Sequence, residues 1–183
     1  MDVAIIGDGP GGLSAALFLA KNGLSTVVYG QDKTAMNWAL LKNYLGLEEI
    51  SGTDFQKVAK KQVAEFGASL EDRHVNSVQG ESGAFRVTFE DGASATARYI
   101  VLSEGKAPKL AQALGVRFEG AAAVTDRNGQ TSVPGVYAIG RLARPGRSQA
   151  IISAGDGAVV ALDILSQEKG KDVVDWDSPP KAT

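Results

Sequence analysis

The stretch Val3-Ala4-Ile5-Ile6-Gly7-Asp8-Gly9-Pro10-Gly11-Gly12 decides the fold that we predict for this chain. Its first four residues form an unbroken apolar run, which is typical of a parallel strand buried on both faces. Its last six residues satisfy the pattern G-x-G-x-x-G, and residues 13–22 after them are rich in helix formers. A second apolar run at residues 26–29 then completes a β-α-β unit with its glycines at the first turn.

The pattern glycines each have a physical task in a nucleotide-binding loop. Gly7 allows the tight turn, Gly9 lets a pyrophosphate approach the backbone, and Gly12 lets the helix pack closely on the strand. Pro10 stiffens the loop and removes an N–H group, which is tolerated near a helix start. The free N–H groups of the first helical turn would attract the anion. The alternative is a glycine-rich turn in an α/β protein that binds no ligand.

Length and composition indicate a soluble globular protein. The 183 residues suffice for one domain with a substantial core and are too few for two. The formal net charge of -2 gives no indication of nucleic-acid binding or of a basic membrane-binding surface. We expect no membrane-spanning run. Because Met1-Asp2 leads directly into a strand, we also expect no signal peptide and a cytoplasmic location.

The chain contains no cysteine and a single histidine, His74. This excludes disulfides, iron–sulfur ligation, thiolate zinc sites and any dithiol chemistry carried by this chain. One histidine cannot form a cluster, so we predict no metal site. We also find no candidate general acid, base or nucleophile, and we interpret His74 as structural.

The middle of the chain predicts one surface helix and several short strands. Residues 55–66 carry apolar residues at helical spacing, and we expect the lysines between them to form a solvated face. Residues 69–102 change to a period of two with a turn, which favours a small antiparallel meander. We expect its last strand, residues 97–102, to return to the main sheet.

Residues 34–50 are apolar and aromatic without a clean period. We expect a loop or a short helix here, with Trp38, Leu40 and Leu41 packed into the core. The residues from 43 to 46 read as a turn.

The last third of the chain predicts a short connection, a buried strand near residue 137 and a long apolar helix over residues 150–165. Gly155 and Gly157 lower the helix propensity, and we expect them to allow close approach of a ligand or another backbone. We predict one domain over residues 1–168, built from an N-terminal segment (residues 1–105) and a returning C-terminal segment (residues 120–168), followed by a polar tail at 169–183.

Asp32 is a candidate for a ribose contact. In dinucleotide-binding folds, an acid about 20 residues after the glycines accepts hydrogen bonds from a ribose. Asp32 lies about 20 residues after Gly12 but beyond the strand-end position, which Gly30 occupies. It could reach a ribose from the loop or be a solvated loop acid, and both interpretations remain open.

Separated motifs occur here in the order found in one family. They are the glycine loop with its helix, Asn43-Tyr44-Leu45-Gly46, and the segments 132–140 and 148–157. On these residues the chain resembles the FAD domain of thioredoxin reductase-like flavoproteins, in the pyridine nucleotide–disulfide oxidoreductase superfamily. The resemblance implies a single-domain Rossmann-like FAD/NAD(P)-binding fold, with a parallel central sheet and a small antiparallel β-meander. It also implies FAD as cofactor and a homodimer.

The resemblance further implies which residues would contact FAD. The pyrophosphate would lie on the glycine loop, the adenosine ribose near Asp32 and Lys33, and the adenine near the backbone of Val75. The ribityl chain and the flavin would lie against Asn43, Gly140, Arg141, Gln149 and Ala150. The complete predicted set is Gly7, Asp8, Gly9, Pro10, Gly11, Gly12, Asp32, Lys33, Asn43, Val75, Gly105, Gly140, Arg141, Gln149 and Ala150.

The chain also departs from the family pattern. A full member inserts an NADPH-binding domain, with its own glycine loop and a C-x-x-C, between the two halves of the FAD domain, and this chain has neither. Arg141 stands at the aspartate of the family's Gly-Asp motif, and Ser148 stands at the arginine of Arg-Gln-Ala. Glu104 lies within the segment that is Ala-Thr-Gly in the family. An arginine can pair with a pyrophosphate, but it lacks the acceptor that holds the ribityl hydroxyls.

We therefore predict a single-domain FAD-binding flavoprotein, an oxidoreductase that takes electrons from a separate donor and is not a disulfide reductase by itself. The flavin would carry the redox chemistry. The altered positions favour an alternative, a non-catalytic nucleotide-fold module with a decayed flavin site. A third interpretation is that the loop binds another adenine nucleotide, such as NAD or ADP.

Overall fold

A five-stranded parallel sheet forms the centre of the molecule in the computed structural model, which describes residues 1–179. The strands are β1 (Val3–Ile6), β2 (Thr26–Gly30), β3 (Leu40–Leu41), β4 (Ile50–Ser51), β5 (Ser69–Asp72), β6 (Val75–Gln79), β7 (Phe85–Phe89), β8 (Ser94–Ala97), β9 (Tyr99–Leu102), β10 (Phe118–Glu119), β11 (Ala122–Ala123) and β12 (Val136–Ala138). The helices are α1 (Pro10–Lys21), α2 (Gly52–Glu65), α3 (Lys109–Ala113) and α4 (Ala150–Lys169), with a 3-10 helix at Ala35–Trp38. The predicted α/β class, with a parallel central sheet and a small antiparallel meander, is confirmed.

Strand β1 lies in the middle of the central sheet, whose strand order is β12-β9-β1-β2-β5. Ile5 pairs in parallel register with Val28 of β2 on one side and with Val101 of β9 on the other. All of β1 is buried. It has a neighbouring strand on each edge and a packed layer on each face, which explains its unbroken apolar run.

Helices cover one face of the sheet and the antiparallel meander covers the other. Ile5 packs towards α1 and α4, in a core that includes Leu19 and Ile164. Ile6 packs on the opposite face, in a core that includes Phe85 of β7. Successive residues of the strand therefore contribute to opposite layers.

The meander consists of β6, β7 and β8. The predicted return of the chain to the main sheet is confirmed for β9, which pairs with β1, but the strand begins at Tyr99 and not at Ala97, which ends β8. The backbone N–H groups of Arg98 and Tyr99 both donate to the carbonyl oxygen of Asp2, each at 3.0 Å. These bonds turn the chain from the meander into the parallel sheet.

Strand β5 was not predicted as part of the central sheet. It pairs in parallel with β2, with Leu70 opposite Val28. It lies at the edge of the sheet, and most of its side chains are exposed. Such a strand does not need the apolar run by which buried strands are recognised.

Some apolar residues lie on the surface, contrary to expectation. Leu41 is buried as predicted, but Trp38 is 84% exposed and Leu40 is 55% exposed. On α2, Val58 is exposed whereas the polar Gln56 is buried. The inward face of α2 therefore includes a polar side chain that the helical spacing of apolar residues did not indicate.

Helix α4 packs backbone to backbone against α1. A Cβ atom on Gly157 would lie only 2.1 Å from the carbonyl oxygen of Gly11, so Gly157 permits this contact. A Cβ atom on Gly155 would meet nothing within 4 Å. By length and composition α4 could cross a membrane, contrary to our expectation. Its inner side, which includes Val160 and Ile164, is buried in the core between the helices and the sheet.

The segment after α4 lies against the start of the molecule. Gly170 ends the helix in the left-handed conformation, with φ +62°. Asp175 then forms an ion pair with Lys21 of α1 at 3.1 Å. Residues 180–183 of the predicted polar tail lie outside the described residues.

Candidate functional site

The turn between β1 and α1 has no room for side chains at two of its glycines. Gly7 has φ +109°, and a Cβ atom there would lie 2.4 Å from the carbonyl oxygen of Ser103. A Cβ atom on Gly12 would lie 2.0 Å from the carbonyl oxygen of Gly7. Gly7 therefore forms the tight turn and Gly12 permits close packing, as their positions in the sequence predict.

Gly9 differs from these two glycines because it faces open space. Its φ is -74°, which any residue can adopt. A Cβ atom there would meet only Thr34 Oγ1, at 3.5 Å. The packing of the protein leaves room for a side chain at this position, which is the N-cap of α1, and a glycine here leaves the backbone open to a ligand.

The N-termini of α1 and α4 meet beside this loop. Neither helix has a side-chain cap or an acidic residue in its first turn. A Cβ atom on Gly11 of α1 would lie 3.0 Å from the carbonyl oxygen of Ser153 in α4, so the two first turns touch. The first N–H groups of a helix have no acceptor within it. The two helix starts therefore offer adjacent donors to an anion.

The other helix starts in the described residues are capped by side chains. Thr34 caps the 3-10 helix and Ser51 caps α2. At α3, the carboxylate of Glu104 accepts hydrogen bonds from the N–H groups of Leu110 at 2.8 Å and Ala111 at 2.9 Å. Burial raises the pKa of Glu104, and these two bonds offset only some of that effect. Glu104 thus has a structural partner in the segment that joins the two halves of the sheet.

Two departures from the family pattern contact each other in the return loop, which we define as residues 140–149. Arg141 Nε donates a hydrogen bond to Ser148 Oγ at 3.0 Å. An arginine that replaces an acid thus lies against a serine that replaces an arginine. The two substitutions form one local arrangement, which the sequence alone did not reveal.

Asp156 of α4 fixes the start of the return loop. Its Oδ2 accepts a hydrogen bond from the backbone N–H of Gly140 at 3.2 Å. Its Oδ1 lies 3.0 Å from Arg144 Nε, with which it forms an ion pair. Asp156 therefore joins the loop to the helix whose N-terminus faces the candidate site.

The second and last sequence motifs meet at the opposite end of the return loop. Asn43 Nδ2 donates to Gln149 Oε1 at 3.2 Å, across more than half the chain. Gln149 is the residue before α4, and Ala150 is its first residue. The predicted flavin-side residues Asn43, Gln149 and Ala150 therefore lie together.

A cavity of about 190 Å³ opens at the carboxyl ends of β2 and β5. Asp8 of the glycine loop, Gly30, Asp32, Lys60 of α2 and Asp72 are among the residues that line it. In open α/β sheets, ligands bind outside the carboxyl ends of the strands. Asp8 connects this cavity to the loop at the start of α1.

Lys60 was expected on a solvated face, and that prediction is wrong. Its Nζ lies 2.6 Å from Asp32 Oδ1 and 3.2 Å from Asp8 Oδ2. Burial lowers the pKa of Lys60, but its hydrogen bonds to Asp32 and Asp8, together with their charges, raise the pKa above its ordinary value. Lys60 is therefore a cation held between two carboxylates. The spacing of lysines along α2 gave no signal for this role.

Three predicted residues lie outside both the cavity lining and the contacts described above. Lys33 donates from Nζ to Gln31 Oε1 at 2.9 Å in the exposed loop. Val75 is buried in the core under the meander. Gly105 has φ +72°, and a Cβ atom there would meet nothing within 4 Å. Their predicted contacts with a cofactor remain predictions.

Gln56 is a supporting residue that the sequence reasoning missed. Its Nε2 donates to the carbonyl oxygen of Asp8 at 2.7 Å, which holds the glycine loop against α2. Its Oε1 is buried, and no hydrogen bond from the described residues reaches it. A polar residue within the apolar spacing of α2 is the signal that could have identified it.

These features fit a bound dinucleotide at the glycine-loop end. The open face of Gly9 and the adjacent helix starts suit a pyrophosphate, and the cavity beside Asp8 suits the adenosine half. Arg141, in the return loop, supplies a cation where the family pattern has an acid, and a guanidinium can bind phosphate oxygens.

Comparison with known proteins agrees with this geometry. Residues 1–71 and 46–158 match the family described as pyridine nucleotide-disulphide oxidoreductase. The thioredoxin reductase of Helicobacter pylori is 32% identical over 116 residues, which cover 60% of this chain and 37% of that protein. The thioredoxin reductase of Treponema pallidum is 35% identical over 109 residues, covering 57% of this chain and 35% of that protein. The chain spans about a third of the length of these relatives.

Solved structures share the fold at lower sequence identity. The atypical thioredoxin reductase TRi from Desulfovibrio vulgaris Hildenborough has a TM-score of 0.82 at 20% identity, over 92% of this chain and 98% of that chain. A thioredoxin reductase from Streptococcus pyogenes MGAS5005 has a TM-score of 0.86 at 15% identity, over 92% and 98%. The chain belongs to the pyridine nucleotide-disulphide oxidoreductase family, as an FAD-binding domain of the thioredoxin reductase-like type whose cofactor is FAD.

Proposed function

We propose that this protein is a single-domain FAD flavoprotein that takes electrons from a separate donor and is not a dithiol reductase. The observation that carries the proposal is the junction between the two halves of the domain. Strands β9 and β12 pair directly in the parallel sheet. The chain between them holds only α3 and the β10–β11 hairpin among its regular elements, where a full family member would insert a second nucleotide-binding domain.

The chemistry of the chain supports the exclusion of dithiol activity. Without a cysteine it cannot form a thiol–disulfide relay. Bound FAD would supply the redox centre, and the protein would supply its position and its electrostatic surroundings. The electrons would arrive from another protein, from a diffusible nicotinamide, or from another small carrier.

We assign the pyrophosphate to the glycine loop and to the adjacent starts of α1 and α4. Gly9 is the position where the backbone is open. Arg141 uses Nε on Ser148, which leaves the other nitrogens of its guanidinium for a phosphate oxygen. The contact between Arg141 and Ser148 favours a site that still binds a cofactor with altered residues. In a site that had lost binding, the two substituted residues would not need to fit each other.

The remaining predicted residues divide between the two ends of the cofactor. Asn43, Gly140, Gln149 and Ala150 would face the ribityl chain and the flavin. Asp8, Asp32 and Lys33 would lie on the adenosine side, with Val75 near the adenine through its backbone and Gly105 beside the loop.

We further propose a cytoplasmic homodimer. Large apolar side chains lie exposed along residues 38–47, where a missing domain or a second subunit could cover them. The exposed fraction reaches 84% for Trp38 and 90% for Leu45. Sedimentation velocity at micromolar concentration would report a dimer, and a monomer would contradict the proposed assembly.

The first experiment is an absorption spectrum of the purified protein after incubation with excess FAD and removal of the free cofactor. Retained flavin absorption is the expected result. A colourless wild-type protein that is nevertheless folded would contradict the proposal and favour a non-catalytic module, or a site for another adenine nucleotide if ADP or NAD still binds.

The variant Gly9→Ala makes this test specific for the site. The added methyl group meets no protein atom closer than 3.5 Å, so the melting temperature of the cofactor-free protein should fall only by the small cost of alanine at the N-cap of α1. The methyl group would keep a pyrophosphate from the backbone, and we expect FAD affinity to fall about 30- to 100-fold, as for the loss of one or two charge-assisted hydrogen bonds. Ser69→Ala, an exposed position at the amino end of β5 and outside the cavity lining, is the control.

The reconstituted protein also tests the electron path. With NADPH as reductant, it should not reduce a protein disulfide, because it has no thiol to relay the electrons. Reduction of a disulfide by the purified chain, at a rate proportional to its bound FAD, would overturn the exclusion of dithiol-type activity.

A further inference from the structure

The side chain of Asp8 occupies the space that a side chain on the last residue of β2 would fill. That residue is Gly30. A Cβ atom on Gly30 would lie 2.4 Å from Asp8 Cγ and 2.8 Å from Asp8 Oδ2. The chain can therefore carry a side chain at position 8 or at position 30 in this arrangement, but not at both.

Position 30 has a defined task in dinucleotide-binding folds. An acid at the end of the second strand accepts hydrogen bonds from the hydroxyls of the adenosine ribose. Gly30 cannot do this, and its vacated space contains a carboxylate that comes from the glycine loop instead. Asp32 is the alternative acid, but it lies beyond the strand with φ +54°, and its side chain is 56% exposed.

The carboxylate of Asp8 is held in a fixed position. Its Oδ2 accepts a hydrogen bond from the backbone N–H of Asp32 at 3.0 Å and lies 3.2 Å from Lys60 Nζ. The backbone of Asp8 is held by Gln56. Its side chain is only 12% exposed, and it lines the cavity. Within residues 1–179 the hydrogen bonds of this carboxylate all involve Oδ2, so Oδ1 is available to a ligand.

We propose that Asp8 supplies the ribose-binding carboxylate that Gly30 lacks, and that this makes the site selective for nucleotides with a free 2′-hydroxyl. A carboxylate accepts a hydrogen bond from a ribose hydroxyl, whereas it repels a 2′-phosphate. Asp72 and Glu71, which also line the cavity, add negative charge on the side of β5. Lys60 is the cation of the cavity lining, and both Asp8 and Asp32 already pair with it.

This inference rests on the proposed binding of FAD, and the test separates the two. FAD binding is measured by fluorescence titration, and ADP and adenosine 2′,5′-bisphosphate are compared as competitors. The wild type should bind FAD and prefer ADP. If the wild type binds neither FAD nor ADP, the proposed function fails before Asp8 is tested.

The variant Asp8→Asn keeps the size of the side chain and removes its charge. We expect FAD affinity to fall about 10- to 100-fold, the usual range for a charge-assisted hydrogen bond. The preference for ADP over the 2′-phosphorylated competitor should shrink by about the same factor. Asp172→Asn, which removes the charge of an exposed acid outside the cavity lining, should change FAD affinity less than about threefold.

The space shared by residues 8 and 30 provides a rescue experiment. Gly30→Glu alone should lower both the melting temperature and FAD affinity, because the new side chain collides with Asp8. Asp8→Gly combined with Gly30→Glu places the acid at the strand end and removes the collision, because a Cβ atom on Gly30 would also lie 2.6 Å from Asp8 Cβ. We expect the double variant to recover wild-type FAD affinity to within about threefold and to recover the preference for ADP.

Two outcomes would overturn the inference while leaving the proposed function intact. One is unchanged FAD affinity and unchanged competitor preference in Asp8→Asn. The other is loss of binding in Asp32→Asn but not in Asp8→Asn, which would assign the ribose to Asp32. If Asp8→Asn does not fold, the double variant provides the test. A folded double variant that does not recover FAD binding would contradict the claim that an acid at position 30 can replace the carboxylate of Asp8.

Discussion

The glycine loop and the return loop form two ends of one site, but different forces fix their structures. The glycine loop is fixed by backbone contacts: a Cβ atom on Gly12 would lie 2.0 Å from a carbonyl oxygen. In the return loop, side-chain contacts of Arg141 with Ser148 and of Asp156 with Gly140 add to backbone hydrogen bonds such as that from the N–H of Arg144 to the carbonyl oxygen of Gly140 at 2.8 Å. A glycine in contact with a backbone atom cannot be substituted without a collision. Two side chains that contact each other can both be substituted by another pair that fits. This difference explains why the first loop keeps the family pattern and the second departs from it.

The sharpest way to break this comparison is Gly12→Ala. The new methyl group would overlap the carbonyl oxygen of Gly7, and backbone atoms cannot move aside as a flexible side chain can. We expect a loss of about 3 kcal/mol in the free energy of unfolding and a melting temperature lower by about 10 °C, together with loss of FAD binding. Thermal unfolding followed by circular dichroism measures the first effect.

A matched glycine lies on α4. Gly155→Ala adds the same methyl group where nothing lies within 4 Å, in a helix interior where alanine is favoured over glycine. It should raise stability by up to about 1 kcal/mol. Equal melting temperatures for the Gly12→Ala and Gly155→Ala variants would contradict the claim that backbone contact fixes the glycine loop.

The comparison also explains what the sequence could predict. The glycine loop and its β-α-β unit follow from local rules, because the pattern and the contacts that it requires lie close together along the chain. The contact between Asp8 and Lys60 joins α2 to the loop, and no periodicity along α2 marks that lysine. Strand β5 is an exposed edge strand and lacks an apolar run. The exposure of Trp38 and Leu40 depends on which elements cover them, which composition does not specify.

The return loop should respond more mildly than the glycine loop. Arg141→Ala removes one guanidinium from the phosphate side, and we expect FAD affinity to fall about 10-fold, as for one charge-assisted hydrogen bond. The melting temperature of the cofactor-free protein should change little, because the contact with Ser148 is partly exposed. The loss should diminish as salt concentration rises, since screening weakens the contribution of Arg141 in the wild type.

A double-mutant cycle with Ser148→Ala tests whether the two replacements act together. If Ser148 orients Arg141, the Ser148→Ala change should weaken FAD binding in the wild type and have no further effect in the Arg141→Ala background. Additive effects would show that the two residues touch without cooperating. Tighter FAD binding in Arg141→Ala would contradict the proposed role of the guanidinium and favour a decayed flavin site.

The smallest expected effect concerns Glu104, a departure that the structure places on a helix start rather than in the cavity. Because burial raises the pKa of Glu104, the folded protein binds its proton more tightly than the unfolded chain does. Its contribution to the free energy of unfolding is therefore greatest below the pKa of an unfolded glutamate and decreases as the pH rises through the higher folded-state pKa.

Glu104→Gln keeps an acceptor for the N–H groups of α3 and removes the titration. Melting temperatures measured from about pH 8 down to about pH 5 should show the wild type gaining stability relative to Glu104→Gln as the pH falls. FAD affinity should stay within about threefold of the wild type, since the carboxylate is engaged by Leu110 and Ala111. Melting curves that run parallel across this pH range would contradict the raised pKa. A tenfold loss of FAD affinity in Glu104→Gln would indicate that Glu104 contributes to the cofactor site. It would contradict the distinction between helix starts that are capped by side chains and those that are open to a ligand.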